Sequence, residues 1–172
     1  MSTRVTLAVR LKVPDATARS AEDTLTRNLG YAGTLESLRR EDWWCFEVAT
    51  DDPAAARARV RQWADRSTAL VNPNKHRTAL DVSAGGADAT GTRVLVRDRE
   101  DSRAASMLRF LRSALGASDL LSLESGVLWT LRFRPGSGDP RALAEDIAYT
   151  RSRTRGLLAN PHAQTVDIGG RT

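Results

Sequence analysis

Two hydrophobic rhythms alternate along this chain. From Val5 to Val13 every second residue is apolar (Val5, Leu7, Val9, Leu11, Val13), while Arg4, Thr6, Arg10 and Lys12 point the other way. A period of two predicts a half-buried strand. Pro14-Asp15 ends it, and residues 16–29 then place Ala18, Ala21, Leu25 and Leu29 at helical spacing. Asp15 or Thr17 can cap that helix, and Gly30 terminates it. Thr34 to Arg39 and Trp43 to Thr50 read as two strands around a polar turn, Arg39-Arg40-Glu41-Asp42. Asp51-Asp52-Pro53 opens a second helix, with proline in its first turn. Val60, Trp63, Ala64 and Leu70 run along its apolar face, and Asn72-Pro73 stops it, because the residue before proline disfavours helix. Residues 78–82 make a last strand.

The rhythm then starts again. Val94 to Val96 predicts a short strand and Ser102 to Leu115 a helix with Met107, Leu108, Leu111 and Leu115 on one face. Leu120 to Glu124 and Val127 to Arg134 read as strands around Ser125-Gly126. Asp139-Pro140 opens a helix over residues 140–155, Asn160-Pro161 closes the segment, and Val166 to Ile168 is the final strand. Three landmarks recur in order: Arg4-Val5 and Arg93-Val94 (93 − 4 = 89), Leu29-Gly30 and Leu115-Gly116 (115 − 29 = 86), Asn72-Pro73 and Asn160-Pro161 (160 − 72 = 88). A fixed period of this kind marks an internal repeat. The expected organisation is one repeat over residues 1–83, a Gly/Ala-rich flexible linker over 84–91, and a second repeat over 92–172.

Each copy therefore reads β-α-β-β-α-β, an α+β unit with an antiparallel sheet and both helices on one face. The other face must be covered, and the nearest cover is the sister copy. The expected fold is two tandem units forming an intramolecular pseudo-dimer, which can pair again into a homodimer.

Composition narrows the chemistry. The 172 residues hold one cysteine, Cys45, and two histidines, His76 and His162, which argues against a disulfide, a cysteine metal cluster or a Cys-His catalytic pair within one chain. No Walker-type glycine loop is present, and Gly85-Gly86 reads as linker flexibility. No run of eighteen apolar residues suggests a membrane span, and the start, Met-Ser-Thr-Arg-Val-Thr, has no apolar signal region, so a cytoplasmic location is expected. The net charge of +5 comes almost wholly from arginine, with only Lys12 and Lys75 as lysines. Residues 1–86 carry 13 basic and 11 acidic groups, and residues 87–172 carry 13 and 10. Such interleaving suits a solvated or protein-binding surface better than the basic patch of a nucleic-acid binder.

Trp43-Trp44-Cys45-Phe46 is the densest aromatic segment. On a strand, Trp43 and Cys45 face one side and Trp44 and Phe46 the other. One pair is expected in the core and the other at an interface, with Cys45 a small buried hydrophobe. An RNA-stacking platform is the rival reading, but the first strand carries no aromatic residue. The two Asn-Pro corners serve as helix stops. They are also the candidate partner-facing residues, Asn72, Pro73 and His76 in one copy and Asn160, Pro161 and His162 in the other, with Lys75 beside the first.

The order of elements and the helix endings resemble the PurS subunit of phosphoribosylformylglycinamidine synthase. Asn-Leu-Gly-Tyr (28–31) and Leu-Val-Asn-Pro (70–73) carry the likeness in the first copy; Ala-Leu-Gly (114–116) and Leu-Leu-Ala-Asn-Pro (157–161) carry it in the second. The family's Gly-Lys turn is replaced by Arg40-Glu41-Asp42 and by Ser125-Gly126-Val127. The resemblance implies a non-catalytic structural subunit of purine biosynthesis, without an active site or cofactor of its own. Its partners would be a glutaminase and a synthetase subunit, and the synthetase would use ATP and Mg. The alternative is an ACT-like ligand-sensing domain, or the same scaffold recruited to another glutamine-dependent ligase.

Overall fold

The computed structural model of the chain describes residues 1–82, 87–88 and 91–168. The elements run β1 (Thr3–Leu11), α1 (Ala16–Asp23) continuing as a π-helical turn (Thr24–Asn28), β2 (Leu35–Val48), α2 (Pro53–Arg66) and β3 (His76–Leu80). After them come β4 (Ala87–Asp88), β5 (Gly91–Asp98), α3 (Ser102–Leu115), β6 (Leu120–Phe133), α4 (Pro140–Ala148) and β7 (Gln164–Ile168). The fold is α+β with antiparallel strands. Of the expected linker, residues 87–88 form β4, pairing with Gly91 and Thr92, while Gly85-Gly86 lies outside the described residues.

The helices start where side chains satisfy their free N–H groups. Asp15 accepts from the amides of Thr17 and Ala18, and Asp101 from that of Ala104. Asp52 and Asp139 do the same one residue before Pro53 and Pro140. Such caps are worth about 0.5–2 kcal/mol each. The first helix of each half ends on a left-handed glycine, Gly30 (φ 81°) or Gly116 (φ 67°). The amide after each glycine returns to the helix, Tyr31 to the Leu25 carbonyl at 3.1 Å and Ala117 to the Leu111 carbonyl at 3.2 Å.

Four expectations need correction. The polar quartet 39–42 is no turn, because β2 runs unbroken from Leu35 to Val48. Ser125-Gly126 likewise lies inside the continuous strand β6. A tight two-residue hairpin favours glycine or asparagine at its positive-φ positions, and Arg-Arg-Glu-Asp holds neither. Two of its charges find partners off the strand instead: Arg40 with Asp15 at 3.4 Å, and Asp42 with Arg103 at 3.1 Å. Ser125 is held by Asp101, which accepts from its hydroxyl at 2.7 Å and its amide at 2.6 Å. The order in each half is therefore β-α-β-α-β, with one long strand replacing the hairpin. Thirdly, Asn72-Pro73 does not stop α2, which ends at Arg66 with Ser67 as its C-cap. Leu70 is buried from the loop beyond. Lastly, α4 ends at Ala148 and not at 155, its backbone already extended at Tyr149.

The chain divides into two compact units, and both are discontinuous. The first comprises 1–13, 42–82 and 100–126; the second comprises 14–41, 83–99 and 127–172. In the first unit the strand order is β3-β1-β2-β6, using residues 42–48 of β2 and 120–126 of β6. Val5 lies opposite Phe46, Leu7 opposite Trp44 and Leu7 also opposite Leu80. Its core joins Val5, Leu7, Val9, Trp44 and Phe46 of the sheet to Val60 and Trp63 of α2 and Leu111 of α3. The Phe46 and Trp63 rings stack with centroids 6.1 Å apart. The second unit uses 35–41 of β2 and 127–133 of β6, beside β5, which pairs with both β4 and β7. There Val94, Val96, Trp129 and Leu131 meet Leu25 of the π-helical turn and Ala144 and Ile147 of α4. In each unit, both helical segments pack on one face of the sheet. Trp43 and Cys45 occupy the opposite face of β2 from Trp44 and Phe46, and all four are buried.

Candidate functional site

The Asn-Pro corners are built from the same hydrogen bonds. After α2, Asn72 accepts through its main-chain oxygen from the amides of Lys75 (3.0 Å) and His76 (2.8 Å). Its side-chain oxygen accepts from the Asn74 amide at 3.0 Å, and its own amide donates to Nδ1 of His76 at 3.0 Å. After α4, Asn160 accepts from the amides of Ala163 (3.2 Å) and Gln164 (2.8 Å). Its side chain accepts from the His162 amide at 3.0 Å, and its amide donates to Oε1 of Gln164 at 2.9 Å. Each corner is tied to the loop before a neighbouring helix: Lys12 N–H donates to the Lys75 carbonyl at 2.8 Å, and Arg99 N–H to that of Ala163 at 2.9 Å. Lys12 and Arg99 side chains reach the carbonyls of Pro73 (2.5 Å) and Pro161 (3.4 Å).

This geometry sorts the predicted residues. The asparagine side chains turn back onto their own backbone, an Asx turn that makes a tight corner. His76 is half-buried and occupies the place of Gln164, so its imidazole closes the corner. His162 occupies the place of Asn74, and stands exposed. The two histidines are thus not equivalent, although both follow an Asn-Pro pair. The outward surface of the corners is Pro73 with Asn74 and Lys75 in one, and Asn160, Pro161 and His162 in the other.

Three side-chain clusters were not visible as sites in the sequence. In the second unit, the Tyr31 hydroxyl donates to Asp146, which also receives Arg155 at 2.7 Å. Burial and this bond push the Tyr31 phenol up to about 12. The same hydrogen bond, seconded by Arg155, holds the Asp146 carboxyl below its ordinary range. In the first unit, Glu47 accepts from the hydroxyls of Ser2 and Ser122, both at 2.7 Å, which lowers its pKa. Also there, the Arg103 guanidinium lies 4.4 Å from the centroid of the Trp44 ring while paired with Asp42. The Tyr31 of Leu-Gly-Tyr was a usable signal, since a tyrosine directly after a helix terminator has its hydroxyl free to reach a second element.

The second unit also carries two depressions. One, of about 280 Å³, is lined by Arg141, Glu145, Tyr149, Arg151 and Asp167, two cations and two carboxylates around a phenol. The other is an apolar groove of about 510 Å³ between α1, Trp129 and Leu157-Leu158. Among the described residues no group of three or more His, Cys, Asp or Glu side chains is placed to hold a metal ion. Nor is any of their helices long and apolar enough to cross a membrane. The chain matches no protein-family model and no curated protein sequence.

Proposed function

We propose that this chain is a tandem PurS-type scaffold, a non-catalytic subunit that bridges the glutaminase and synthetase of a phosphoribosylformylglycinamidine synthase and supports ammonia transfer between them. On this reading residues 1–83 and 92–172 are two copies of one unit, arranged as a pseudo-dimer. The chain binds no cofactor, and ATP and Mg belong to the synthetase. It works in the cytoplasm and pairs with itself.

The observation that carries the reading is the paired corner. Two Asn-Pro turns 88 residues apart (160 − 72 = 88) share every main-chain and side-chain bond described above. They are accompanied by Asp caps at 15 and 101 (101 − 15 = 86) and at 52 and 139 (139 − 52 = 87). The corner segments, 70–73 and 157–161, are among those whose sequences resemble PurS. The exposed surfaces of the corners, Asn160, Pro161 and His162 above all, would face the partners.

Affinity purification of the untagged partners with the full chain tests this. Recovery of a glutaminase and a large ATP-dependent synthetase is expected, weakened when His162 and Pro161 are replaced together by Ser. Recovery of neither enzyme from cells making purines would remove the reading. A melting shift with a free amino acid would favour the ACT-like alternative instead.

A further inference from the structure

The β1–β3 ladder of the first unit sets like charges against each other. Arg10 lies directly opposite Arg77, and the ladder continues past the strand ends where the Lys12 amide donates to the Lys75 carbonyl at 2.8 Å. Alternate residues of a strand share a face, so Arg10 and Arg77 project from the side away from Leu7 and Val9, with Lys12 and Lys75 just beyond them. Opposite residues stand about 5.5 Å apart and alternate residues roughly 7 Å apart, which crowds four cations into a patch of that size. Lys12, Lys75 and Arg77 are exposed and Arg10 is half-buried. Among the described residues none of the four forms an ion pair, and Lys12 Nζ donates only to the Pro73 carbonyl, at 2.5 Å. The acids nearest in sequence, Asp15 and Asp81, are bonded to Arg40 and Arg57.

The fold does not require this arrangement. In the second unit Arg97 lies opposite Thr165, and the Arg99 amide donates to the Ala163 carbonyl at 2.9 Å. Thr165 and Ala163 thus hold the places of Arg77 and Lys75 (165 − 77 = 88 and 163 − 75 = 88). Like charges directly opposite on a sheet are destabilising, so the first unit bears a repulsion that the second avoids with the same ladder. A further observation lies on the same face. Trp43 pairs with Ala8 and therefore stands on the Arg10 side of the sheet; it is 3% exposed, and its indole N–H has no acceptor among the described residues. The side chains gathered here donate, and none accepts.

We propose that this face of β1–β3 binds the phosphoryl group of a small phosphorylated molecule. A phosphate brings more charge and more acceptor oxygens than a carboxylate, and guanidinium groups hold it through parallel N–H···O bonds. Arg10 and Arg77 clamp the phosphate, while Lys12 and Lys75 add point charges at its rim. A patch of this size matches one phosphate or two linked ones, whereas a nucleic-acid strand needs a basic groove that follows its backbone over several nucleotides. The site lies wholly within the first unit and does not depend on the purine partners.

Calorimetric titration and thermal melting of the purified full chain with inorganic pyrophosphate test it. Wild type should bind one pyrophosphate per chain, with an affinity that falls as salt rises. Its melting midpoint should rise by about 2–4 °C at roughly five times the Kd. The double variant Lys75→Ala, Arg77→Thr installs the residues that the second unit holds at those places. Without pyrophosphate it should melt no lower than wild type, because a like-charge pair has gone. Its binding should be about tenfold weaker or worse, the loss expected when charge-assisted hydrogen bonds are removed. Should the double variant fail to fold, Arg77→Thr alone, at an exposed position, should weaken binding in the same direction. A wild type that ignores pyrophosphate, a variant that responds as wild type does, or an equal response to succinate would each overturn the proposal. So would a single-stranded oligonucleotide that binds more tightly than pyrophosphate at the same salt and is lost in the same variant, since it would assign the face to nucleic acid. Because no enzyme subunit is present, these outcomes are independent of the purification experiment above.

Discussion

Cutting the chain at residues 84–91 should unfold both compact units, although the cut falls where the sequence suggested a linker. The reason is the composition of each core. The first unit buries Leu111, Leu120 and Leu123 from the second half of the sequence against Val5, Leu7, Trp44 and Phe46 from the first. The second unit buries Leu25, Leu35 and Leu38 from the first half against Val94, Val96, Trp129 and Ile147 from the second. A half-chain alone thus forfeits the burial of three leucines in the unit it mostly builds, roughly 5–9 kcal/mol at about 1.5–3 kcal/mol per side chain. It also loses a strand neighbour of β1-β2 or of β5-β6. Total stabilities of small domains are about 5–15 kcal/mol, so the loss takes most or all of it. The assay is denaturant unfolding, followed by tryptophan fluorescence, of residues 1–83 and 92–172 made separately, mixed, and joined. Separate fragments should show no cooperative transition as monomers, and the mixture should regain one. A fragment that folds only as a homodimer agrees with the argument, because a second copy then supplies the missing strand and helix. A monomeric 1–83 fragment with a cooperative transition would refute it.

Other predictions concern single side chains. Leu111→Ala, wholly buried where α3 meets the first core, should cost about 2–5 kcal/mol in chemical denaturation. Gly156→Ala should be worse tolerated than Gly30→Ala. Both glycines have positive φ, but a Cβ at 156 would lie 1.6 Å from the Tyr149 carbonyl oxygen, while at 30 it meets nothing within 4 Å. The Gly30 change should cost about 1–2 kcal/mol, and the Gly156 change should prevent accumulation of folded protein. Asn160→Ala, which removes the Asx turn, should lower stability by about 0.5–1.5 kcal/mol without altering helix content. Tyr31→Phe should change the pH profile of melting at both ends. The folded chain holds the Tyr31 proton up to about 12 against an ordinary 10.0, so stability is full below 10 and falls as pH rises through that window. Asp146 is lowered from its ordinary 3.8, so its contribution is present above that value and lost as pH falls below it. In Tyr31→Phe the alkaline slope should vanish and the acid slope shrink; an unchanged profile would show that the Tyr31–Asp146 bond contributes nothing.

Local chemistry made much of the fold legible. Ser102 to Leu115 was readable as a helix because its apolar spacing, its Asp101 cap and its Gly116 terminator agree, and α3 has those bounds. Asp52-Pro53 and Asp139-Pro140 likewise marked two helix starts, since an Asp cap followed by proline is a local device. The corners were visible as Asn-Pro pairs. What closes them was not, because His76 and Gln164 look nothing alike in sequence yet accept the same amide. The two internal turns were misread because Arg39-Arg40-Glu41-Asp42 is polar enough to be a loop. It is strand all the same, with Arg40 and Asp42 paired to Asp15 and Arg103, 25 and 61 residues away (40 − 15 and 103 − 42).

The sequence by itself determined the periodic elements, their caps and the recurrence of landmarks every 86 to 89 residues, all of which depend on neighbours a few positions apart. Only the tertiary structure decided that β2 and β6 run straight through, and that each compact unit draws on both halves of the chain. Those outcomes turn on which distant side chains meet a strand's charges or cover its apolar face, and hydrophobic period carries no information about a partner a hundred residues away.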